Sequence, residues 1–317
     1  MFLTLLINRG NDNCLLACDG VFGIVYVKDR RSQMQLLTGK EVAEHVYKEI
    51  KRGLAEHPGL MPTLAVILVG DDPASETYVA SKRKMCEKLG FGHLDYHLPP
   101  TTTMEELLRL VETLNHNDAV DGILVQSPLP RGLDENKVIE AIDPEKDVDG
   151  FHPVNVGRTL IGIPSLISCT PYGVLEMLDY YHIPTQGKHV VIIGRSNIVG
   201  KPLASLLIQK GRDATVTVCH SRTQDLPSLT RTADILMVAV GKAGFVTPDM
   251  VKDGAVVFDI GINRVDDPLA RKGYRVVGDV DFDAVAPKCQ AITPVPGGVG
   301  VMTIAMLMHN TLQAALS

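Results

Sequence analysis

The chain has no apolar run of the roughly 18 residues that a membrane-spanning helix needs. Its six cysteines (Cys14, Cys18, Cys86, Cys169, Cys219, Cys289) include no Cys-x-x-Cys, which argues against a disulfide framework and fits a reduced, cytosol-like compartment. Ten histidines form no His-Glu-x-x-His or comparable ligand spacing, so no metal site is expected. Excess basic charge is also missing. The net charge is −6, and Lys and Arg are scattered apart from short clusters at Lys82–Lys84 and Lys28–Arg31. That balance argues against phosphate-backbone binding, and nucleic acid and membranes are not expected as partners. Repeats and low-complexity segments are absent. Met1–Ile7 is apolar but has no basic stretch before it, so the first 33 residues match neither a signal peptide nor an Arg-rich transit peptide. Residues 1–33 are therefore an extension of uncertain status. Met34, followed by Gln35-Leu36-Leu37-Thr38-Gly39, reads as a chain start running into a helix. The expected location is the cytoplasm.

What is present is an ordinary globular composition, 45% hydrophobic and 21% charged over 317 residues, long enough for two domains or one large one. Lys40–Leu54 has helical periodicity through Val42, Ala43, Val46, Tyr47 and Ile50. Thr63–Val69 is a continuous apolar run ending in Gly70, as a buried parallel strand should be. A helix at 75–89, a strand at 91–98, a helix at 103–115, a strand at 122–126 and a short helix at 135–142 follow. Residues 143–153 read as a polar connector and 155–169 as a loop. A second alternation begins at helix 172–181, with strands at 188–193, 214–219, 233–240 and 254–260 and a final helix at 303–315. The expected class is α/β with mostly parallel sheets.

Two sets of residues carry chemistry. Tyr78 and Lys82 stand four apart on the expected helix, so a phenol and an amine share one face and can polarise a substrate or move a proton. By itself that spacing fits a solvated basic helix more readily. In the second half, Gly194 and Gly200 bracket a strand-to-helix turn whose amides suit a pyrophosphate. The turn meets the Gly-x-Gly-x-x-Gly fingerprint only in part. A site for NAD usually places an acid at the end of the next strand, for the ribose hydroxyls. Here that strand ends in His220-Ser221-Arg222. Ser221, Arg222 and Arg195 would instead bind a 2′-phosphate, which favours NADP, although both arginines also fit solvated surface charge.

Five segments in order resemble one family. They are Ser75-x-x-Tyr78-Val79-x-x-Lys82, Gly122-Ile123-Leu124-Val125-Gln126, Lys146-Asp147-Val148-Asp149-Gly150, Gly194-Arg195-Ser196-x-x-Val199-Gly200-x-Pro202, and Ile292-Thr293-Pro294-Val295-Pro296-Gly297-Gly298-Val299-Gly300. Together they resemble the bifunctional methylenetetrahydrofolate dehydrogenase/cyclohydrolase family of bacterial FolD type, over about residues 34–317. The resemblance implies two domains flanking a cleft. Residues 34–153 would be the catalytic, folate-binding domain, with the helix at about 303–317 packing back on it, and 154–302 the Rossmann-like NADP domain. It implies a homodimer and tetrahydrofolate substrates. Lys82 resembles the catalytic lysine, Tyr78 the tyrosine that orients the folate, Gln126 the partner of the amine and Asp149 the carboxylate that holds the pterin. Ser75, Val125, Pro296, Gly297 and Gly298 resemble further substrate contacts. Gly194, Arg195, Ser196, Ser221, Ile262 and Thr303 resemble cofactor contacts. Ser127 and Val301 depart from the usual Leu and Pro, both near the folate loops.

The activity this implies is NADP-dependent oxidation of 5,10-methylenetetrahydrofolate, then hydrolysis of the methenyl product to 10-formyltetrahydrofolate, in one-carbon metabolism and purine biosynthesis. A monofunctional NAD(P) dehydrogenase of another small substrate predicts cofactor reduction without folate. A folate-binding paralogue that has lost one activity predicts binding without full turnover. Arg83 and Lys84 stand beside Lys82 in sequence and would help lower its pKa if they also lie close to it in space. Read without the resemblance, Asp149 fits a solvated linker acid. His152 and His220 are assigned no catalytic role.

Overall fold

Two parallel sheets organise the chain, and the computed structural model describes residues 34–270 and 273–317 in full. Before residue 34 it describes only the backbone of three antiparallel strands, Leu5–Ile7, Cys14–Cys18 and Val21–Val25. The expected start at Met34 otherwise concerns residues outside those described.

The first sheet has three strands, β2 (Thr63–Val69), β3 (Gly92–Leu98) and β4 (Gly122–Val125), in the order β3-β2-β4. β2 is buried along its whole length because both faces are covered. Leu64, Val66 and Leu68 join the core under α1 (Gly39–Glu56) and α2 (Pro73–Leu89). Ala65, Ile67 and Val69 alternate to the other face, against α3 (Met104–Asn115). A short α4 (Glu135–Ala141) follows β4.

The second sheet is six-stranded and wholly parallel. It contains β1 (Gln35–Leu36), β5 (His189–Ile193), β6 (Thr215–Cys219), β7 (Ile235–Val238), β8 (Val256–Asp259) and β11 (Ala291–Ile292), in the order β1-β11-β8-β7-β5-β6. Residues just after Met34 were expected to run straight into a helix. They pair first with β11, Gln35 opposite Ala291, and α1 begins after them. The hairpin β9 (Asn263–Asp266) and β10 (Tyr274–Val277) is antiparallel and stands apart from this sheet.

Other differences have local causes. Residues 155–169, expected as a loop, contain most of α5 (Pro153–Ile161). Pro153 opens this helix, His152 Nδ1 accepts the Val154 amide at its N-terminus, and Gly162 closes it in a left-handed turn. α6 (Cys169–Tyr180) and α10 (Val299–Leu316) each start several residues before the expected position, and α7 (Gly200–Leu207) starts on the second glycine of the expected turn. In α6 and α7 a proline lies in the first turn, where it needs no backbone donor and so does not stop the helix. Short α8 (Leu226–Thr230) and α9 (Phe282–Val285) were not anticipated.

α10 corrects the expectation about apolar length, since its 18 residues are long and apolar enough by composition to cross a membrane. The structure uses them as a core helix instead. Met302, Ala305, Met306, Leu307, Met308 and Leu312 are buried in the core shared with α1 and α6. Asn310 Nδ2, also buried, donates to the carbonyls of Val148 and Ile167 at 2.8 Å each.

Candidate active site

α2 is positioned by Asp72, whose carboxylate accepts the Ser75 amide at 2.8 Å and the Ser75 hydroxyl at 2.9 Å. The buried face of the helix is Ser75, Val79, Lys82, Cys86 and Leu89. Lys82 therefore lies on the core side, only 9% exposed, while Tyr78 at 48% lies at the margin. The two share the helix surface, yet the phenol faces solvent while the amine is withdrawn. No hydrogen bond joins them among the described residues. Ser75, expected as a substrate contact, spends its hydroxyl on capping the helix.

The Lys82 amine donates to Gln126 Oε1 at 2.8 Å, and Gln126 Nε2 donates to the Ser127 carbonyl at 2.6 Å. The glutamine is thereby oriented with its oxygen towards the amine. Burial pushes the Lys82 pKa below its ordinary value, opposed by the nearby acidic groups Asp149 and Cys169. Arg83 and Lys84 are not the cause. Arg83 is exposed and pairs with Asp95, and Lys84 is exposed.

Asp149 is held by its neighbours in sequence. Asp147 bridges to Ile123 beside β4, and its buried carboxylate accepts from the His152 amide at 2.8 Å and Asn155 Nδ2 at 3.0 Å. Val148 is buried, and its carbonyl accepts from Asn310 and, at 3.3 Å, from the Cys169 thiol. With both flanks fixed, the Asp149 carboxyl is crowded by protein. Desolvation raises its pKa to about 6 although Lys82 pulls the other way. Cys169, buried beneath this group, has its thiol pushed well above the usual range by burial and then by Asp149. The structure thus brings Lys82, Gln126 and Asp149 together and adds Cys169 and Asn310. Neither addition had a signal in spacing or charge, because both arrive from distant helices.

Loop residues flank this centre. Val125 ends β4, half-buried, opposite Ile67. Pro296 is exposed, and Gly297 presents its carbonyl to the Gly39 amide at 2.8 Å, tying this loop to the start of α1. Gly298 is buried and leads into α10.

The carboxyl edge of the six-stranded sheet holds the second constellation. Gly194 follows β5 with φ +127°, and an added Cβ would run into the Ala239 carbonyl oxygen. A Cβ on Gly200 would strike the Gly194 carbonyl. The turn is thus a tight backbone cradle opening α7, the shape that lets a pyrophosphate approach a helix start. Arg195, Ser196, Ser221 and Arg222 are all exposed at the ends of β5 and β6. His220 spends Nδ1 on the Arg222 amide at 3.2 Å, a local turn contact. Ile262 is half-exposed beyond β8. Thr303 lies on α10 with Oγ1 3.2 Å from Thr170 Oγ1. These residues fit a dinucleotide with a phosphorylated ribose, because the cradle is open and the arginines are not committed to carboxylates among the described residues.

Two family profiles match. Tetrahydrofolate dehydrogenase/cyclohydrolase, catalytic domain, covers residues 37–149, and the NAD(P)-binding domain of the same family covers 168–317. The chain belongs to the tetrahydrofolate dehydrogenase/cyclohydrolase family. The bifunctional protein FolD of Chlorobium phaeobacteroides is 55% identical over 288 residues, 89% of this chain and 98% of that one. The crystal structure of the bifunctional FolD enzyme of Campylobacter jejuni is 49% identical with a TM-score of 0.84, covering 90% of this chain and 99% of that one. The Trypanosoma brucei dehydrogenase–cyclohydrolase, solved with NADP cofactor and an inhibitor, is 40% identical at a TM-score of 0.84, covering 89% and 97%. In this member of the tetrahydrofolate dehydrogenase/cyclohydrolase family, the catalytic profile takes in Tyr78, Lys82, Gln126 and Asp149. The NAD(P) profile takes in the Gly194 cradle, Ser221, Ile262 and Thr303.

Proposed function

We propose that this protein oxidises 5,10-methylenetetrahydrofolate with NADP and hydrolyses the methenyl product to 10-formyltetrahydrofolate, using Lys82, Gln126, Asp149 and Tyr78. One observation carries the reading: a buried amine with a depressed pKa, held 2.8 Å from Gln126 Oε1 and coupled to the Asp149 carboxyl. An amine so placed spends more of its time neutral, and so able to accept a proton, than a solvated lysine does.

Gly194, Arg195, Ser196, Ser221, Ile262 and Thr303 hold the cofactor, with Arg222 beside Ser221 at the 2′-phosphate. NADP, when bound, accepts the hydride that leaves the methylene carbon. The chain itself supplies orientation. Tyr78, at the exposed margin of α2, stacks on the folate, Asp149 holds its pterin ring, Val125 and Pro296–Gly298 complete the substrate contacts, and Ser75 contributes by capping the helix that carries Tyr78 and Lys82. In the hydrolytic step Lys82 takes a proton as water adds to the methenyl carbon. The bond from that carbon to one ring nitrogen then breaks as the added hydroxyl becomes the formyl carbonyl, and the proton that the hydroxyl gives up is balanced by the one this nitrogen receives. Gln126 keeps the amine aimed throughout. A cationic methenyl substrate further favours the neutral form of Lys82, in the direction that burial already sets.

Residues 34–153 with α10 form the folate unit, and 154–302 the cofactor unit. Asn310 supports the assignment of α10, since it holds the carbonyl before Asp149. The enzyme works as a homodimer. Exposed Leu160, Ile161 and Ile208 support this, gathered where Gln209 Nε2 ties the end of α7 to the Thr159 and Leu160 carbonyls at 2.8 and 3.1 Å. It serves one-carbon metabolism and purine biosynthesis in the cytoplasm, a setting in keeping with the free, buried thiols of Cys86, Cys169, Cys219 and Cys289.

Following NADPH formation and methenyl-folate absorbance together tests the reading, with NAD as control. Reduction of NADP and onward consumption of the methenyl product are expected. Cofactor reduction with accumulating methenyl-folate would leave only a dehydrogenase, and binding without turnover would overturn both activities.

A further inference from the structure

Beneath the cofactor edge lies a pair of buried acids that the reading above does not use. Asp279 is fully buried, and Asp259 nearly so. Asp279 Oδ2 accepts from the Val240 amide at 2.6 Å and the Gly241 amide at 2.9 Å. Its Oδ1 accepts from the Lys242 amide at 2.8 Å and from Asn263 Nδ2 at 2.9 Å. Four donors thus converge on two oxygens, an arrangement only a carboxylate satisfies. Asp259 braces Asp279 from behind. Its Oδ1 accepts the Asp279 amide at 2.9 Å and the Gly261 amide at 3.2 Å, and its Oδ2 accepts the Val280 amide at 2.9 Å. There is no slack in the packing, because a Cβ on Gly261 would run into the Asp279 carboxylate.

The two segments gathered by this carboxylate border the dinucleotide cradle. Residues 240–242 continue β7 past Ala239, the residue whose carbonyl closes against Gly194. Asn263 follows Ile262 beyond the end of β8 and opens β9. We propose that Asp279 is a positioning residue for NADP, locking segments 240–242 and 262–263 into one rigid wall of the cofactor site. The inference rests on the cofactor site assigned above. Three consecutive amides aimed at one group fix the backbone of 240–242, and the Asn263 bond couples that backbone to the segment bearing Ile262. A wall fixed before the cofactor arrives saves the ordering cost on binding.

Asp279→Asn keeps the shape and removes the pattern. Whichever way the amide turns, its NH2 faces two donors that lose their acceptor. Dissociation constants for NADP, measured by titration calorimetry on the full chain, should rise by about tenfold or more. The KM for NADP should rise in parallel. Hydrolysis of methenyl-folate assayed without cofactor should fall by less than about twofold, since that chemistry lies across the cleft. Asn263→Ala removes a single donor and should weaken NADP binding by about threefold, which decides the matter if the aspartate variant does not fold. An unchanged NADP dissociation constant in a folded variant overturns the proposal, as does loss of hydrolysis in step with loss of NADP affinity. Wild-type protein that binds no NADP at all would instead overturn the cofactor site itself.

Discussion

Lys82 is a cation-forming group almost wholly removed from water, whereas Arg195 and Arg222 are exposed to it. The difference follows from the work each does. A proton carrier must have its charged form weakened, and burial against Val79 and Cys86 on the core face of α2 does that. A phosphate-recognising guanidinium needs its charge intact and accessible, so it belongs on a rim, with shaped backbone beneath it to set the geometry. On the folate side the hydrogen bonds come from side chains that tune chemistry, Lys82 donating to Gln126 and Asn310 to the carbonyl before Asp149. On the cofactor side they come mostly from backbone amides, which donate to Asp279, and tune shape.

The sharpest way to break this contrast is Lys82→Met, which keeps bulk and burial while removing the amine. Cyclohydrolase activity should fall by about 10³-fold or more, near the upper range for loss of a general base, and dehydrogenase activity considerably less. Measuring both on one preparation decides it. Equal residual fractions would mean that Lys82 merely supports the fold or binds substrate for both steps.

On the other rim, Arg195→Ala combined with Ser221→Asp removes one cation and places a carboxylate where the 2′-phosphate would lie. The expected result is a KM for NADP raised by about 100-fold, from two lost charge-assisted contacts, with the KM for NAD changed little. Initial-rate measurements with both cofactors give the ratio. A ratio equal to wild type would move the phosphate site elsewhere.

Much of the scaffold was legible because it rests on local pattern. The apolar run Thr63–Val69 and the helical spacing of Val42, Val46 and Ile50 demand the elements found there. The unread parts depend on contacts across long stretches of chain. β1 is two residues long and exists only because Ala291–Ile292 offers an edge. α5 is announced by Pro153 and Gly162, but its mixed surface hid it among loop-forming residues. The site shows the same division. Lys82 and Gln126 were picked out by motif, yet the cause of the lysine shift is burial, which no adjacent residue reveals. Cys169 and Asn310 reach Val148 from α6 and α10. Asp279 is one more acid in the sequence until its four donors are seen.

A smaller effect tests whether the folate side holds charge at a cost to stability. The Asp149 pKa is raised from 3.8 to about 6, so the folded protein favours its protonated form. That stabilisation is fully present below about pH 4 and is lost as pH rises through 6, because above that the folded state must carry a charge the unfolded chain carries more easily. Asp259, also raised to about 6, contributes in the same direction. Acids held below their ordinary values, such as Asp234 with Lys252, act in the opposite sense at lower pH and leave this window largely clear. Between pH 4 and pH 6.5 the wild-type unfolding free energy should therefore decline more steeply than that of Asp149→Asn, by about 1–3 kcal/mol over the interval. Urea unfolding at four or five pH values measures the two slopes. Parallel slopes would show that water reaches the Asp149 carboxyl freely, and the folate side would then be no drier than the rim that carries Arg195.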